Sequence, residues 1–598
     1  MTLRGDLLAA LARGVEADSV IAVKAALRKL DPLLGMIARR RLRKLQALTN
    51  RTTIDDDPTH RLRVAALLLS APQRELEFDD RAAVQLAYAE LGPQPGPPRR
   101  GPWFSLGALL TLALLVGAGL LVKRVLRPFD PRETDAGRLL GDGLGTFLIR
   151  TDNGASGNQL TQARETLTDL NAQRAYGPDT AAAVGELLDA TGNLAAAQDP
   201  SGGVQESERF FNSANSLSSI LRKRQLPYFV DADILRREEH TLPLLMSFYI
   251  ERETEYEAAG VRVRAIDLWR LDAVRLRFGA LGYTRPRTPA ALVLLDQVES
   301  DLVRSVLPAL APGEPAELVD DETREENLPW VSTVERLAGE AVRKHYAALS
   351  ADPHVVEVGK LLAQRRSLVR RWRATIAAGG HQLHVPERLI PERDYTTDLH
   401  LRVANQELYD WEELHSDLLS KQNYAAFLRL REPYVQAIER HEVEHRLDFA
   451  RGFRPVPELL CHILGIENAL DAPAGSLQER VSSEFSAYLA QLAEGPDSPV
   501  LELVVLSSIL LNQHSAGGVY GYSTLALMRA IAVELGLDPE GIEGRTLRER
   551  TATLLLQMIS NPAAELRAAA AHAYEKAYGE PVPHVVKKSV RENVAWRH

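Results

Sequence analysis

The sequence predicts a mainly α-helical, single-pass membrane protein with a large helical C-terminal domain and a small β element around residues 245–271. Three observations carry this. Only 6% of the 598 residues are aromatic, and Ala, Leu and Arg abound, a composition that favours helices. Residues 101–122, GPWFSLGALLTLALLVGAGLLV, hold no charged side chain and are bracketed by Arg99-Arg100 and Lys123-Arg124, long enough for one helix to cross a bilayer. Residues 439–449, ERHEVEHRLDF, set two histidines four positions apart in a segment of helical period. With 45% hydrophobic residues, a chain of this length predicts two to four domains and ample core.

Residues 1–90 are helical in period and carry the basic run IARRRLRKL at 37–45, read as a solvated helix face of a small cytoplasmic module. A Pro/Gly linker at 91–102, containing GPQPGPPRRGP, ends that module. The membrane helix is placed at 103–123, with Trp103 and Phe104 at one interface, so the lipid bilayer is an expected partner. It starts too far from Met1 for a cleaved signal peptide, and it lacks the polar side of a soluble core helix. Two signals compete over orientation. Lys123, Arg124, Arg127 and Arg132 pull the C-terminal side inward, whereas residues 1–102, with 17 Lys plus Arg against 12 Asp plus Glu and no leading signal, resist export. The second is taken to prevail, which puts the N-terminus in the cytoplasm and the C-terminal domain outside it.

Residues 129–310 read as a mainly helical domain in which LMSFYIERETEYEAAGVRVRAIDLWRL, 245–271, is a pair of strands. The acidic, Pro-bounded PGEPAELVDDETREENLP at 312–329 reads as a linker or long loop. A helical domain follows at 330–598, interrupted by GGHQLHVPERLIPERD at 379–394. Its histidine-bearing helix is expected to start after Pro433. PVLELVVLSSILLN, 499–512, contains Glu502 and is too short to span a membrane, so it fits a buried helix beneath the histidines. HSAGGVYGY, 514–522, reads as a Gly-rich turn.

Within ERHEVEHRLDF, His441 and His445 stand at i and i+4, on one helix face and close enough to grip one cation. With 15 His and 80 acidic residues in the chain, a His-acid-x-x-His run would arise about 0.05 times by chance. A hydrolytic zinc takes three protein ligands and leaves a position for water, and Glu442, beside the first histidine, stands where a base for that water belongs. Arg440 with Glu444 and Glu442 with Arg446 also fall at i,i+4, a pattern that suits a solvated surface. The stripe Tyr434, Ile438, His441, His445, Phe449 instead turns the imidazoles toward the core. Asp448 is near enough to that face to fix the tautomer of a ligand histidine, or else to pair with Arg451.

A third ligand must be His, Asp or Glu, since the chain has a single cysteine, Cys461. Ser476 and Glu479 form a capping box that opens an amphipathic helix, SLQERVSSEFSAYLAQL, with an apolar face Leu477, Val481, Phe485, Tyr488, Leu492. Glu484 lies on that stripe, where an unpaired buried carboxylate would cost several kcal/mol, so it calls for a cation. His462, Glu467 and Glu479 compete for the same role. For the oxyanion of an acyl-transfer reaction, His514, Tyr520 and Tyr522 are candidate donors.

Other chemistries fit less well. Cys461 and His462 are neighbours in sequence and do not face each other on a helix as a thiolate–imidazole pair must. No GxSxG elbow occurs, and GDGLG at 141–145 lacks both the spacing and the strand of a nucleotide loop. No nucleic-acid partner is expected of a chain at net charge −9 whose aromatics do not interleave with its basic run.

His441-Glu442-Val443-Glu444-His445 followed by Glu484-Phe485-Ser486-Ala487 resembles the gluzincin zinc metallopeptidases, over about residues 434–492. The resemblance implies one Zn²⁺ per chain on His441, His445 and Glu484, with Glu442 as general base, and a peptide or protein substrate. A membrane-tethered interaction or signalling protein with an inactive or structural HExxH site is the alternative.

Overall fold

The computed structural model describes residues 129–144, 157–197, 200–237, 240–258, 260–271, 280–350, 352–378, 405–452, 454–466, 475–496, 499–512, 518–540 and 548–594. The N-terminal module, the linker and the charge-free stretch at 101–122 lie outside these, as does 379–394. No described helix is long and apolar enough to cross a membrane. Residues Pro128–His598 make one compact unit, so the segments expected as separate domains at 129–310 and 330–598 share a sheet and a core. The 312–329 stretch is packed against that core, with Ala316, Leu318 and Val319 buried and the Glu335 carboxylate accepting from the Leu318 and Val319 amides.

The unit is mainly helical with a small curled sheet. Helices α1 (Pro178–Ala196) and α2 (Pro200–Lys223) lead into β1 (Tyr228–Arg237), β2 (His240–Ala258), β3 (Val261–Arg270), β4 (Gly282–Tyr283) and β5 (Ala291–Leu294). The expected strand pair is β2 with β3, antiparallel from Phe248↔Arg270 to Ala258↔Val261. Four further strands extend it. The order is β1-β2-β3-β5-β4, with β3 and β5 parallel, and the C-terminal β6 (Val586–Glu592) pairs with β2 beyond the end of β1.

Alternation sorts the sheet into two faces. Ile266 and Leu292 join Phe229, Phe248 and Leu268 in one cluster, while their neighbours Ala265 and Ala291 meet Val443 and Leu447 of a long helix on the other side. Curling brings the two end strands together. The Tyr283 hydroxyl donates to Asp231 Oδ2 at 2.6 Å, and Arg285 donates to the Ala232 carbonyl at 3.0 Å and to Asp233 Oδ2 at 2.8 Å.

The long helix is α3 (Lys421–Arg451), and it runs through Pro433 rather than starting after it. Proline removes one donor, that for the Arg429 carbonyl, and the helix absorbs the loss because packing on the sheet holds the turns on either side. Gly452, at φ 82°, ends it. Its charged stretch is not a solvated surface: Glu439, Arg440, His441, Glu442, Val443, Glu444 and His445 are all buried. Each charge has a partner from elsewhere in the fold. Glu439 accepts from Tyr256 at 2.5 Å and Arg252 at 3.3 Å, while Glu444 accepts from Arg440 at 2.9 Å, Tyr574 at 2.7 Å and Arg451 at 3.2 Å. The expected Glu442–Arg446 pair does not form, because Arg446 donates to the carbonyls of Arg285 and Thr288. Removing one partner from such a buried pair costs about 3–5 kcal/mol, so these contacts fix α3 in register on the sheet.

Helix α4 (Leu477–Glu494) packs against α3, with α5 (Pro499–Leu511), α6 (Gly518–Glu534) and α7 (Ala563–Tyr578) around it. Ser476 caps it by accepting from the Glu479 amide, while the Glu479 carboxylate takes the Gly475 N–H, one residue before the donor a capping box uses. Val481, Phe485, Leu489 and Leu492 are fully buried, each worth about 1.5–3 kcal/mol. Leu477 and Phe449, expected on the inner stripes, are 41% and 38% exposed. Both sit at helix ends, past the reach of the facing helix. The expected helix covers Pro499–Leu511 and is largely buried, packing against α6 and α7.

Candidate metal centre

Helices α3 and α4 bring three side chains to one point. His441 Nε2 lies 3.1 Å from His445 Nε2 and 3.3 Å from Glu484 Oε2, and His445 Nε2 lies 3.7 Å from Glu484 Oε1. Among the described residues these three are the one His/Cys/Asp/Glu group whose ligand atoms lie close enough together, all within 4.8 Å, to share a cation. Ligands about 2.0–2.1 Å from a tetrahedral zinc stand about 3.3 Å apart, so the cluster has the dimensions of three corners of such a site.

The hydrogen-bond partners of the two imidazoles fit the same arrangement. Gln491 Oε1, an acceptor, faces His441 Nδ1 at 3.1 Å, and Ser483 Oγ faces His445 Nδ1 at 2.8 Å. A neutral His441 that donates Nδ1–H to the Gln491 amide oxygen turns a bare Nε2 lone pair inward, and Ser483 Oγ, able to accept as well as donate, is compatible with the same tautomer at His445. Two lone pairs and a carboxylate aimed at one point need a positive charge between them, a metal ion or a proton. Burial alone would lower the His445 imidazole, but the Glu484 carboxylate, with Glu442 and Asp448, lifts it to about 9. Burial would raise Glu484, yet His445 and His441 hold it far below the usual carboxylate range.

A pH dependence follows, with a definite sign. A ligand imidazole must be deprotonated, and the Glu484 carboxylate holds His445 protonated up to about 9, so a zinc ion bound here would have to displace that proton at neutral pH. Apparent zinc affinity should therefore rise about tenfold per pH unit between pH 6.5 and 8.5, measured by competition with a chromophoric chelator. A flat profile would contradict the pairing.

Glu442 is 3% exposed, and its Oε2 accepts from Thr284 Oγ1 at 2.8 Å. Burial raises its carboxyl above the ordinary range, against the pull of His441, His445 and Thr284. Asp448 hydrogen-bonds to neither histidine, although its charge helps raise His445, and it pairs with Arg451 at 3.6 Å. Its oxygens accept from Ser486 Oγ at 2.5 Å and Arg454 at 2.8 Å, so its expected tautomer-fixing role falls to Gln491 and Ser483.

The competing ligands go elsewhere: His462 is exposed on Glu458–Leu464, Glu479 caps α4, and Glu467 lies outside the described residues. His514 also lies outside them. The Gly-rich stretch expected as a turn becomes the first turns of α6 from Gly518. On that helix burial, then the charges of Glu484 and Glu442, push the Tyr520 phenol up to about 12, though the residue is 45% exposed. Tyr522 packs on the core instead. Tyr488, expected only as an apolar-face residue, sets its buried ring 4.9 Å from the His441 ring at a tilt of 46°. Gln491 shares this stripe, since 484, 488 and 491 fall at i, i+4 and i+7, a signal legible in sequence. Ser483 and Thr284 carry no such signal.

Gln491→Leu should weaken zinc binding about 10- to 100-fold, read by the same chelator competition, because the imidazole loses the acceptor that orients it. Unchanged affinity would remove Gln491 from the site.

No protein-family model, curated protein or solved structure matches this chain.

Proposed function

We propose that the chain is a zinc-dependent peptidase, anchored in a membrane through residues 103–123, with its helical domain outside the cytoplasm. The observation that carries the enzymatic reading is the set of separations 3.1, 3.3 and 3.7 Å among the facing atoms of His441, His445 and Glu484, with a carboxylate, Glu442, next to them. The charge-free stretch at 101–122 and the basic character of residues 1–102 support the anchoring.

Zinc bound there supplies a Lewis acid, which makes an adjacent water acidic and polarises a carbonyl. The chain's own residues do the rest. His441 and His445 present Nε2 inward, oriented by Gln491 and Ser483, and Glu484 adds one negative charge. Glu442 Oε2 is held by Thr284, which leaves Oε1 to accept a proton from water and return it to the leaving amine. Tyr520, raised to about 12 and so protonated at neutral pH, is a hydroxyl donor for the oxyanion, and Tyr488 is a second. Burial of Glu442 and both histidines keeps bulk water from screening these charges.

The full-length protein should release fluorescence from labelled casein, stop when 1,10-phenanthroline removes zinc, and recover on adding Zn²⁺. Hydrolysis indifferent to the chelator would overturn the metal-dependent reading.

A further inference from the structure

We propose that residues Gly282–Arg285 are a device that positions the Glu442 carboxylate, with Thr284 as the positioning residue, an inference that rests on reading Glu442 as the base. Side chains along an extended segment alternate between two directions, and this one uses both. Gly282 and Thr284 face α3. A Cβ on Gly282 would stand 2.8 Å from both Cγ and Oε1 of Glu442 and 2.6 Å from the Leu292 carbonyl oxygen, so only glycine lets β4 come this close to the base. Two residues on, Thr284 Oγ1 donates to Glu442 Oε2 at 2.8 Å and lies 3.2 Å from the Glu442 carbonyl.

The alternate residues face the seam that closes the sheet. Tyr283 is tied to Asp231, and Arg285 to Ala232 and Asp233. From the other side Arg446, one turn beyond Glu442 on α3, donates to the Arg285 carbonyl at 3.2 Å and the Thr288 carbonyl at 3.0 Å. The segment is therefore held at both flanks, and the Thr284 hydroxyl sits at a fixed place relative to α3. It stops the carboxylate from turning, occupying Oε2 and leaving Oε1 as the proton acceptor. A carboxylate free to rotate would spend most of its time misplaced by about 1 Å, an error that costs on the order of 10²-fold in rate.

The test uses the full-length zinc-loaded protein, labelled casein, and acetohydroxamic acid, a small metal-directed acid that must hand a proton to a nearby base on binding. Thr284→Val keeps the shape and removes the hydroxyl. It should lower kcat about 10- to 100-fold with KM within about threefold, keep its zinc, and weaken acetohydroxamate binding measured by calorimetry, in the same direction as Glu442→Gln. Thr284→Ser restores the hydroxyl and should recover kcat to within about threefold of wild type, which a purely structural role of the threonine would not predict. Wild-type kcat and hydroxamate affinity in Thr284→Val would overturn the proposal while leaving the zinc site standing. Loss of zinc or of the fold in both Thr284 variants would also overturn it, making the residue structural. If wild type leaves casein intact, the peptidase reading falls, and the hydroxamate arm alone decides whether Thr284 positions Glu442.

Discussion

Glu442→Gln should keep its zinc and lose about 10²-fold or more of its hydrolysis of labelled casein. The amide matches the carboxylate in size and can still accept from Thr284, so the 3% exposed side chain stays where it is. What it loses is the ability to take a proton at Oε1. Burial already pushes the Glu442 carboxyl above its ordinary range, so removing its charge should not destabilise the fold. Zinc content and rate measured on one preparation check this, and a rate near wild type would place the base elsewhere.

His445→Ala should take bound zinc from about one per chain to none after purification without added metal. The substitution removes one of three protein ligands and leaves Glu484, otherwise drawn down by both imidazoles, beside His441 alone. Glu484→Gln should be milder, because an amide oxygen still ligates weakly, and it should show as faster zinc loss to chelator. If Glu484→Gln retains zinc like wild type, the carboxylate serves another purpose.

What the sequence makes legible here is local. His441, Glu442 and His445 stand out because one helix places them by its own period, and Glu484 because it interrupts an apolar stripe. The β2–β3 pair is legible for the same reason, as alternating residues around a Gly260 turn. The missed elements depend on contacts distant in sequence. Two-residue β4 and fully exposed β6, VKKSVRE, have no apolar alternation to betray them, and pairing with β5 and β2 defines them instead. The charged run of α3 looks like a solvated surface because its partners Arg252, Tyr256 and Tyr574 lie far off in the chain. Asp448 occupies the face expected of a histidine partner, yet Arg454 and Ser486 reach it first. Thr284, which donates to Glu442, is separated from it by 158 residues.

The buried ion pairs also explain how two candidate metal ligands keep their places on so charged a helix. Arg431 meets Glu251 at 2.7 Å and Glu299 at 3.0 Å, Glu439 meets Arg252 and Tyr256, and Glu444 meets Arg440 and Tyr574, so successive turns of α3 are clamped to different parts of the fold. Such pairs add little net stability but strongly penalise any other register. The imidazoles inherit that precision.

Zinc K-edge X-ray absorption on the whole chain is the sharpest test of the candidate metal centre. About one zinc per chain is expected, with a four-coordinate shell of nitrogen and oxygen at about 2.0–2.1 Å, the multiple-scattering signature of two imidazoles, and no sulfur. In His445→Ala that signature should vanish with the metal. A sulfur shell, a six-coordinate oxygen shell without imidazole, or zinc held equally by wild type and His445→Ala would contradict the site at His441, His445 and Glu484.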